Sequence, residues 1–264
     1  MSSSQVASSP SAHVDGEEAA LVLDGVTRRF GGLLALDGVS VVVPRGGRLA
    51  VIGPNGAGKT TLFRLISGEM TASDGTISIF DEDVSRVGER GRSRRGVART
   101  FQVSNLFPTL SVIDNVRIAA QAQSWRPHRF WWPTRRTDPD GERALGMLEQ
   151  VGLDRRTEDR VADLSHGEQR QLEIAMALIV EPRLLLLDEP AAGLSAAERK
   201  VLRGLLEQLP VELSLVLIEH DMSLALELAD RVLCLDNGLP LAYGTPDEIR
   251  ANPAVQAVYL GRRE

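Results

Sequence analysis

Cysteine is nearly absent from this chain: Cys234 is the single one. It cannot close an internal disulfide, which fits a reducing compartment. It lies in the apolar run "RVLCLDNG" and reads as core filler. Long hydrophobic runs are also missing. No stretch of roughly 18 apolar residues occurs, so no segment is expected to cross a bilayer as a helix. The first twenty residues hold six serines but no lysine, arginine or apolar centre. That excludes a secretory signal and leaves residues 1–20 as an expected disordered tail, with the folded part starting near Leu21 in the cytoplasm. There is no excess of positive charge: 30 basic against 36 acidic residues give a net charge of −6. A general nucleic-acid binder would be basic, so no nucleic-acid partner is expected. Sustained heptads and internal repeats are absent too.

What remains is a chain of 264 residues, 43% hydrophobic and 25% charged, in which short apolar runs alternate with helical patterns. That alternation is the signature of an α/β sheet. "ALVLDGVTRRF", "VSVVVPRGGRLAVIG", "GTISIF", "GVARTFQ", "RLLLLDEP", "LSLVLIEH" and "RVLCLDNG" read as strands. "KTTLFRLISGEM", residues 111–123, "ERALGMLEQVGL", "GEQRQLEIAMAL", 195–209 and 221–229 read as helices. Residues 124–141 read as irregular, interrupted by Pro127, Pro133, Pro139 and Gly141. Residues 103 to about 180 are thus mostly helical between two halves of a sheet, as expected of a helical subdomain inserted into a nucleotide-binding core.

The chemistry begins at "GPNGAGKTT". Gly53, Pro54, Asn55, Gly56, Ala57, Gly58, Lys59 and Thr60 match G-x-x-x-x-G-K-[ST], and Thr61 follows. The motif sits between the strand "RLAVI" and a helix, the context it requires. Glycines let successive backbone N–H groups turn toward phosphate oxygens, and the helix N-terminus adds partial positive charge. Lys59 supplies a point charge for the β- and γ-phosphates, and the Thr60 hydroxyl is a ligand for Mg²⁺. The partner acid follows four leucines in "LLLLDEP". Asp188 falls at the carboxyl end of that strand, where open α/β sheets place their ligands, and an Asp there can hold Mg²⁺. Glu189 points elsewhere and can polarise a water for attack on the γ-phosphate. His220, ending "LSLVLIEH", belongs on the same edge as a further candidate γ-phosphate contact. In "LSHGEQRQ", Ser165 and Glu168 form an expected capping box. That box does not explain Gly167, which weakens a helix by about 1 kcal/mol relative to Ala.

Taken in order, the phosphate loop, "TFQ" at 100–102, "LSHGEQ", "LLLLDEP", "GLS" at 193–195 and His220 resemble the ATP-binding cassette ATPase of a transporter. The resemblance spans residues 21–264. It implies a P-loop NTPase (RecA-like) core with an N-terminal antiparallel β subdomain and an inserted α-helical subdomain. It also implies ATP and Mg²⁺ as cofactors. Gln102 matches the glutamine that senses Mg²⁺ and the membrane partner. Glu189 matches the general base, and His220 the switch histidine. Ser165 and Gly167 match the signature that contacts the γ-phosphate bound to the opposite subunit; a bare backbone at 167 would admit that anion closely. Phe30 matches the aromatic that stacks on adenine, a contact worth roughly 1–3 kcal/mol, unless it is a strand-end core aromatic. Implied partners are an integral-membrane permease, a second ATPase subunit (a copy of this chain or a paralogue) and, indirectly, an extracytoplasmic substrate-binding protein. The implied location is the cytoplasmic face of the membrane.

The chain departs from the commonest signature, L-S-G-G-Q, at His166 and Glu168, and has Ser195 where an Asp is usual. These variants, "IEHDM" and the tail "GTPDEIRANPAVQAVYLG" resemble the branch serving importers of branched-chain amino acids, amides or urea. An ATPase of lipopolysaccharide export has a similar tail, and a soluble cassette ATPase is the other alternative. Two stretches stand apart. Residues 85–99 carry six arginines against one glutamate and read as a solvated loop before "TFQ", with nucleic acid or anionic lipid head groups as the alternative ligands of such a basic cluster. "SWRPHRFWWPTRR" holds all three tryptophans, Trp125, Trp131 and Trp132, as either a partner surface or packing for the helical subdomain.

Overall fold

The computed structural model describes residues 18–100, 106–123 and 139–260. Gln102 and the three tryptophans therefore lie outside the described residues. The chain opens with β1 (Ala19–Phe30), β2 (Leu33–Pro44) and β3 (Arg48–Ile52), followed by α1 (Lys59–Ser67), β4 (Asp74–Ile79) and β5 (Glu82–Asp83). The run "VSVVVPRGGRLAVIG" is thus two strands, split by a turn in which the Gly47 N–H donates to Pro44 O at 2.9 Å. Next come α2 (Glu89–Ser93), β6 (Val97–Arg99), α3 (Val112–Gln123), α4 (Pro139–Gln150) and α5 (His166–Leu178). The chain continues through β7 (Leu184–Asp188), α6 (Ala196–Glu207), β8 (Ser214–Ile218), α7 (Met222–Leu228), β9 (Arg231–Asp236), β10 (Leu239–Gly244), α8 (Pro246–Ala251) and α9 (Pro253–Leu260).

The strands form two sheets. One is antiparallel in the order β2-β1-β4-β5; the other runs β10-β9-β3-β8-β7-β6. In the second sheet every pairing is parallel except β10 with β9. Strands buried on both faces explain the unbroken apolar runs. Along β7, Leu184 and Leu186 join a core shared with the antiparallel sheet and α1, while Leu185 and Leu187 join a second core with α6 and α7. β8 and β9 alternate in the same way, and Cys234 is fully buried in the second core. Burial pushes its thiol pKa up to about 11, consistent with an inert core residue. A third core, around Val116, Leu148, Leu172 and Ala175, joins α3, α4 and α5.

Two expectations change here. Pro139, Asp140 and Gly141 are the first turn of α4 rather than irregular chain. Proline is tolerated there because the first N–H groups of a helix have no intrahelical partner. The arginine-rich stretch 85–99 is not simply a solvated loop: it contains α2, and Arg92 within it is 1% exposed. Its guanidinium donates to four backbone carbonyls, those of Leu65 (2.5 Å), Ile66 (2.7 Å), Val84 (2.7 Å) and Val87 (2.9 Å). Leu65 and Ile66 lie in the last turn of α1, whose carbonyls lack helical partners. Arg92 therefore caps the phosphate-loop helix from behind.

Candidate active site

The carboxyl ends of β3, β7 and β8 lie side by side, since Asp188 pairs with Ile218, and Ile218 with Val51. From β3 the chain enters the phosphate loop. Gly53 and Gly58 adopt φ of 146° and 99°. A Cβ would stand 2.2 Å from Leu235 O at the first and 2.7 Å from Ala35 O at the second. Both positions therefore need glycine for backbone shape and for space. Gly58 is the N-cap of α1 and brings no capping side chain. Lys59 is 5% exposed, and its Nζ donates to Gly53 O (2.7 Å) and Pro54 O (3.0 Å). Burial lowers its pKa, while the charges of Glu189 and Asp188 oppose that shift.

Asp188 ends β7 almost fully buried, and its Oδ1 has no hydrogen-bond partner. Burial, then the neighbouring Glu189, raises its pKa against the pull of Arg99, Arg64 and Arg170. A buried, unpartnered carboxylate oxygen is an unstable arrangement by itself and suits a hard cation, which takes oxygen ligands. Glu189 turns sharply away, with φ of 47°, an uncommon value for a non-glycine residue and a form of strain found at functional sites. Its N–H donates to Ile218 O at 2.9 Å, and its Oε1 lies 2.8 Å from His220 Nε2.

Lys59, Glu189 and His220 share one pocket of about 630 Å³ with Phe30 and the loop from Asn55 to Thr61, whereas Gly53, Pro54 and Asp188 do not line it. Phe30 is 42% exposed, with the Arg28 guanidinium 4.7 Å from its ring centroid, so it is not a core aromatic. Ser165 and Gly167 do not line this pocket. They begin α5, where both hydrogen bonds of the Ser165–Glu168 capping box are present. The Gly167 N–H, left for an outside phosphate by the sequence, donates within the chain to Glu198 Oε1 at 3.0 Å.

Two residues at this edge carried no assignment from the sequence. Glu219, 2% exposed, accepts from the Ala191 N–H at 2.9 Å and from the His220 N–H at 3.2 Å. It clamps the turn carrying Glu189 to the strand carrying His220; an acid closing an apolar strand was its only signal. Arg170 of α5 is ion-paired with Glu173 at 2.6 Å and reaches Glu189 O at 3.4 Å. Nothing local marks it out.

A glycine loop between a strand and a helix, facing an acid pair at the end of a neighbouring parallel strand, defines a P-loop ATPase. Comparison with known proteins narrows the class. The model of the ABC transporter family matches residues 36–192, and that of the branched-chain amino acid ATP-binding cassette transporter matches residues 240–264. The chain is 39% identical over 249 residues to LivG of Salmonella typhimurium, a high-affinity branched-chain amino acid transport ATP-binding protein, covering 91% of this chain and 97% of that one. BraF of Pseudomonas aeruginosa, of the same description, is also 39% identical over 248 residues, with 91% and 97% covered. Among solved structures, the ADP conformation of MJ1267, an ATP-binding cassette of an ABC transporter, superposes with a TM-score of 0.83 at 27% identity, covering 92% of this chain and 99% of that one. The chain belongs to the ABC transporter family and is an ATP-hydrolysing subunit. Such subunits are membrane-associated and work with a membrane permease. Among the described residues no helix is long and apolar enough to cross a membrane.

Proposed function

We propose that this chain powers the import of branched-chain amino acids, or related small polar solutes, from the cytoplasmic face of the membrane. A permease and an extracytoplasmic substrate-binding protein complete the system. The relatives' descriptions and the match at residues 240–264 support the importer branch. The folded cassette begins at Ala19, two residues before the expected start, because Ala19 and Ala20 belong to β1 and Ala20 is fully buried; its helical subdomain takes in α3, α4 and α5.

The observation that carries the catalytic reading is the Glu189–His220 pair, 2.8 Å apart, both lining the phosphate-loop pocket. Glu189 is the general base that orients and deprotonates the attacking water, and His220 holds it and contacts the γ-phosphate. Lys59 and the loop amides bind the phosphates, and Phe30 stacks on adenine. Thr60 and Asp188, joined by Gln102, would hold Mg²⁺, which supplies charge neutralisation at the phosphates. The Asp188 oxygen without a hydrogen bond fits that role. Ser165 and Gly167, lying outside the pocket, complete the site of a second ATPase subunit, so that two subunits sandwich two ATP molecules.

The test is uptake of labelled leucine by host cells in which the chain is deleted and then restored. Wild type should restore uptake. Glu189→Gln should bind ATP, fail to hydrolyse it and restore nothing. Wild-type turnover by Glu189→Gln would refute the base assignment. Normal leucine, amide and urea uptake in the deletion strain would refute the importer reading.

A further inference from the structure

The N-terminus of α5 already holds an anion in the single chain, and that anion is the carboxylate of Glu198. Glu198 stands in the first turn of α6, 31 residues along the chain from Gly167. Its Oε2 accepts from the Ser195 N–H (2.9 Å) and the Ser195 hydroxyl (2.7 Å), closing a capping box. Its Oε1 is thereby aimed across at α5, where it accepts from the Gly167 N–H at 3.0 Å. A Cβ on Gly167 would stand 2.6 Å from that oxygen and 2.7 Å from the Glu198 Cγ. The missing side chain at 167 thus makes room for a carboxylate of the same chain. The hydrogen bonds from Ser195 and Gly167 hold the Glu198 carboxyl below its ordinary pKa, so it is anionic at neutral pH. His166 lies against Gly193, its Nε2 3.2 Å from where a Cβ of Gly193 would lie.

We propose that Glu198 is a positioning residue for ATP hydrolysis: it occupies the Gly167 amide as an internal stand-in for phosphate and yields it to the γ-phosphate held by a second subunit. The proposal rests on the two-subunit reading of Ser165 and Gly167. Two anions cannot share one N–H, so closure of the sandwich requires Glu198 to leave. When it leaves, Oε1 loses its partner on α5, and a tie between α5 and the start of α6 is broken next to the Arg170–Glu189 O contact that joins α5 to the catalytic turn. Arrival of ATP on one subunit is in this way felt at the turn carrying Glu189 on the other. Ser195, where the family usually has Asp, is the residue that aims Glu198.

The test compares Glu198→Gln with its parent in a Glu189→Gln background, where closed dimers accumulate. ATP-driven association is followed by ultracentrifugation of the full chain and by cross-linking of the two ATPase subunits in the intact transporter. A neutral amide holds the Gly167 N–H less strongly than a carboxylate, so half-maximal closure should need about fivefold less ATP. A purely structural role predicts the reverse, since weakening the cap loosens α6. Closure at the same or higher ATP concentration would overturn the proposal and leave the two-subunit reading standing. No ATP-driven closure of the Glu189→Gln parent in either setting would overturn that reading, and the proposal with it. As a second measurement, the amide resonance of Gly167 in the nucleotide-free chain should follow the titration of Glu198 on acidification. A Gly167 resonance indifferent to that titration would overturn the proposal without recourse to any variant.

Discussion

Replacing Arg92 with methionine isolates the support beneath the phosphate-loop helix. Arg92 is fully buried, and burial draws its pKa down to about 10, so it remains charged at neutral pH. Methionine keeps much of the length but leaves the carbonyls of Leu65, Ile66, Val84 and Val87 without their guanidinium partner. Hydrogen bonds to a charged donor contribute roughly 1.5–3 kcal/mol each, which would sum to about 6–12 kcal/mol. The desolvation of a buried guanidinium offsets part of that gain, and water entering the variant recovers more. A net loss of about 3–5 kcal/mol follows, the size typical of removing one partner from a buried charged set. For a domain of this size, about 2–4 °C per kcal/mol gives a melting temperature lower by roughly 6–20 °C. Arg92 acts at the far end of α1, about 13 Å from the loop by helix rise. ATP affinity measured at a temperature where the variant is folded should therefore stay within about twofold. Arg92→Lys should recover only part of the stability, because three donors on a point charge cannot match a planar fork. The assay is thermal and urea unfolding beside nucleotide titration. A melting temperature within about 3 °C of wild type would refute the claim that Arg92 caps α1 and ties it to the segment after β5.

Two more predictions concern the loop and its acid. Gly56→Ala and Gly58→Ala should differ: Gly56 has φ of 80° with open space around a Cβ, whereas at Gly58 a Cβ meets Ala35 O and Leu36 Cδ2 at 2.7 Å. The first should cost about 1–2 kcal/mol of left-handed strain, and the second that plus a displaced loop and at least tenfold weaker ATP binding; equal effects in melting and binding experiments would contradict this. Asp188→Asn should raise the melting temperature of the nucleotide-free chain at neutral pH while shrinking the further rise produced by Mg·ATP. The sign follows from burial: a folded pKa above the unfolded one makes the native state take up the proton more readily, so stability falls as pH rises through that window and the charge is destabilising above it. A lower melting temperature without nucleotide would count against it.

Much of the site was legible along the chain because its parts are local. A glycine loop between a strand and a helix, an acid pair behind four leucines and a histidine closing a second apolar strand each lie within a few residues, and strand ends in a parallel sheet share an edge. The helix bounds near Lys59 and Ser165 were likewise written in caps and turn residues. β10, with Pro240 inside it, Gly238 before it and Gly244 at its end, was not marked by any alternation in "GLPLAYG", and pairing with β9 decided it.

What the sequence by itself determined was therefore the class of fold, the phosphate loop, and the edge on which Asp188, Glu189 and His220 would stand. Only the tertiary structure decided that Arg92 is a buried cap and not a solvated charge, and that Glu219 clamps the catalytic turn. It also decided that the amide of Gly167 is already held by Glu198. The reason is physical: backbone period, caps and glycine conformations act over one or two turns of chain. Which buried donor meets which acceptor across 31 residues is set by the packing of α5 against α6.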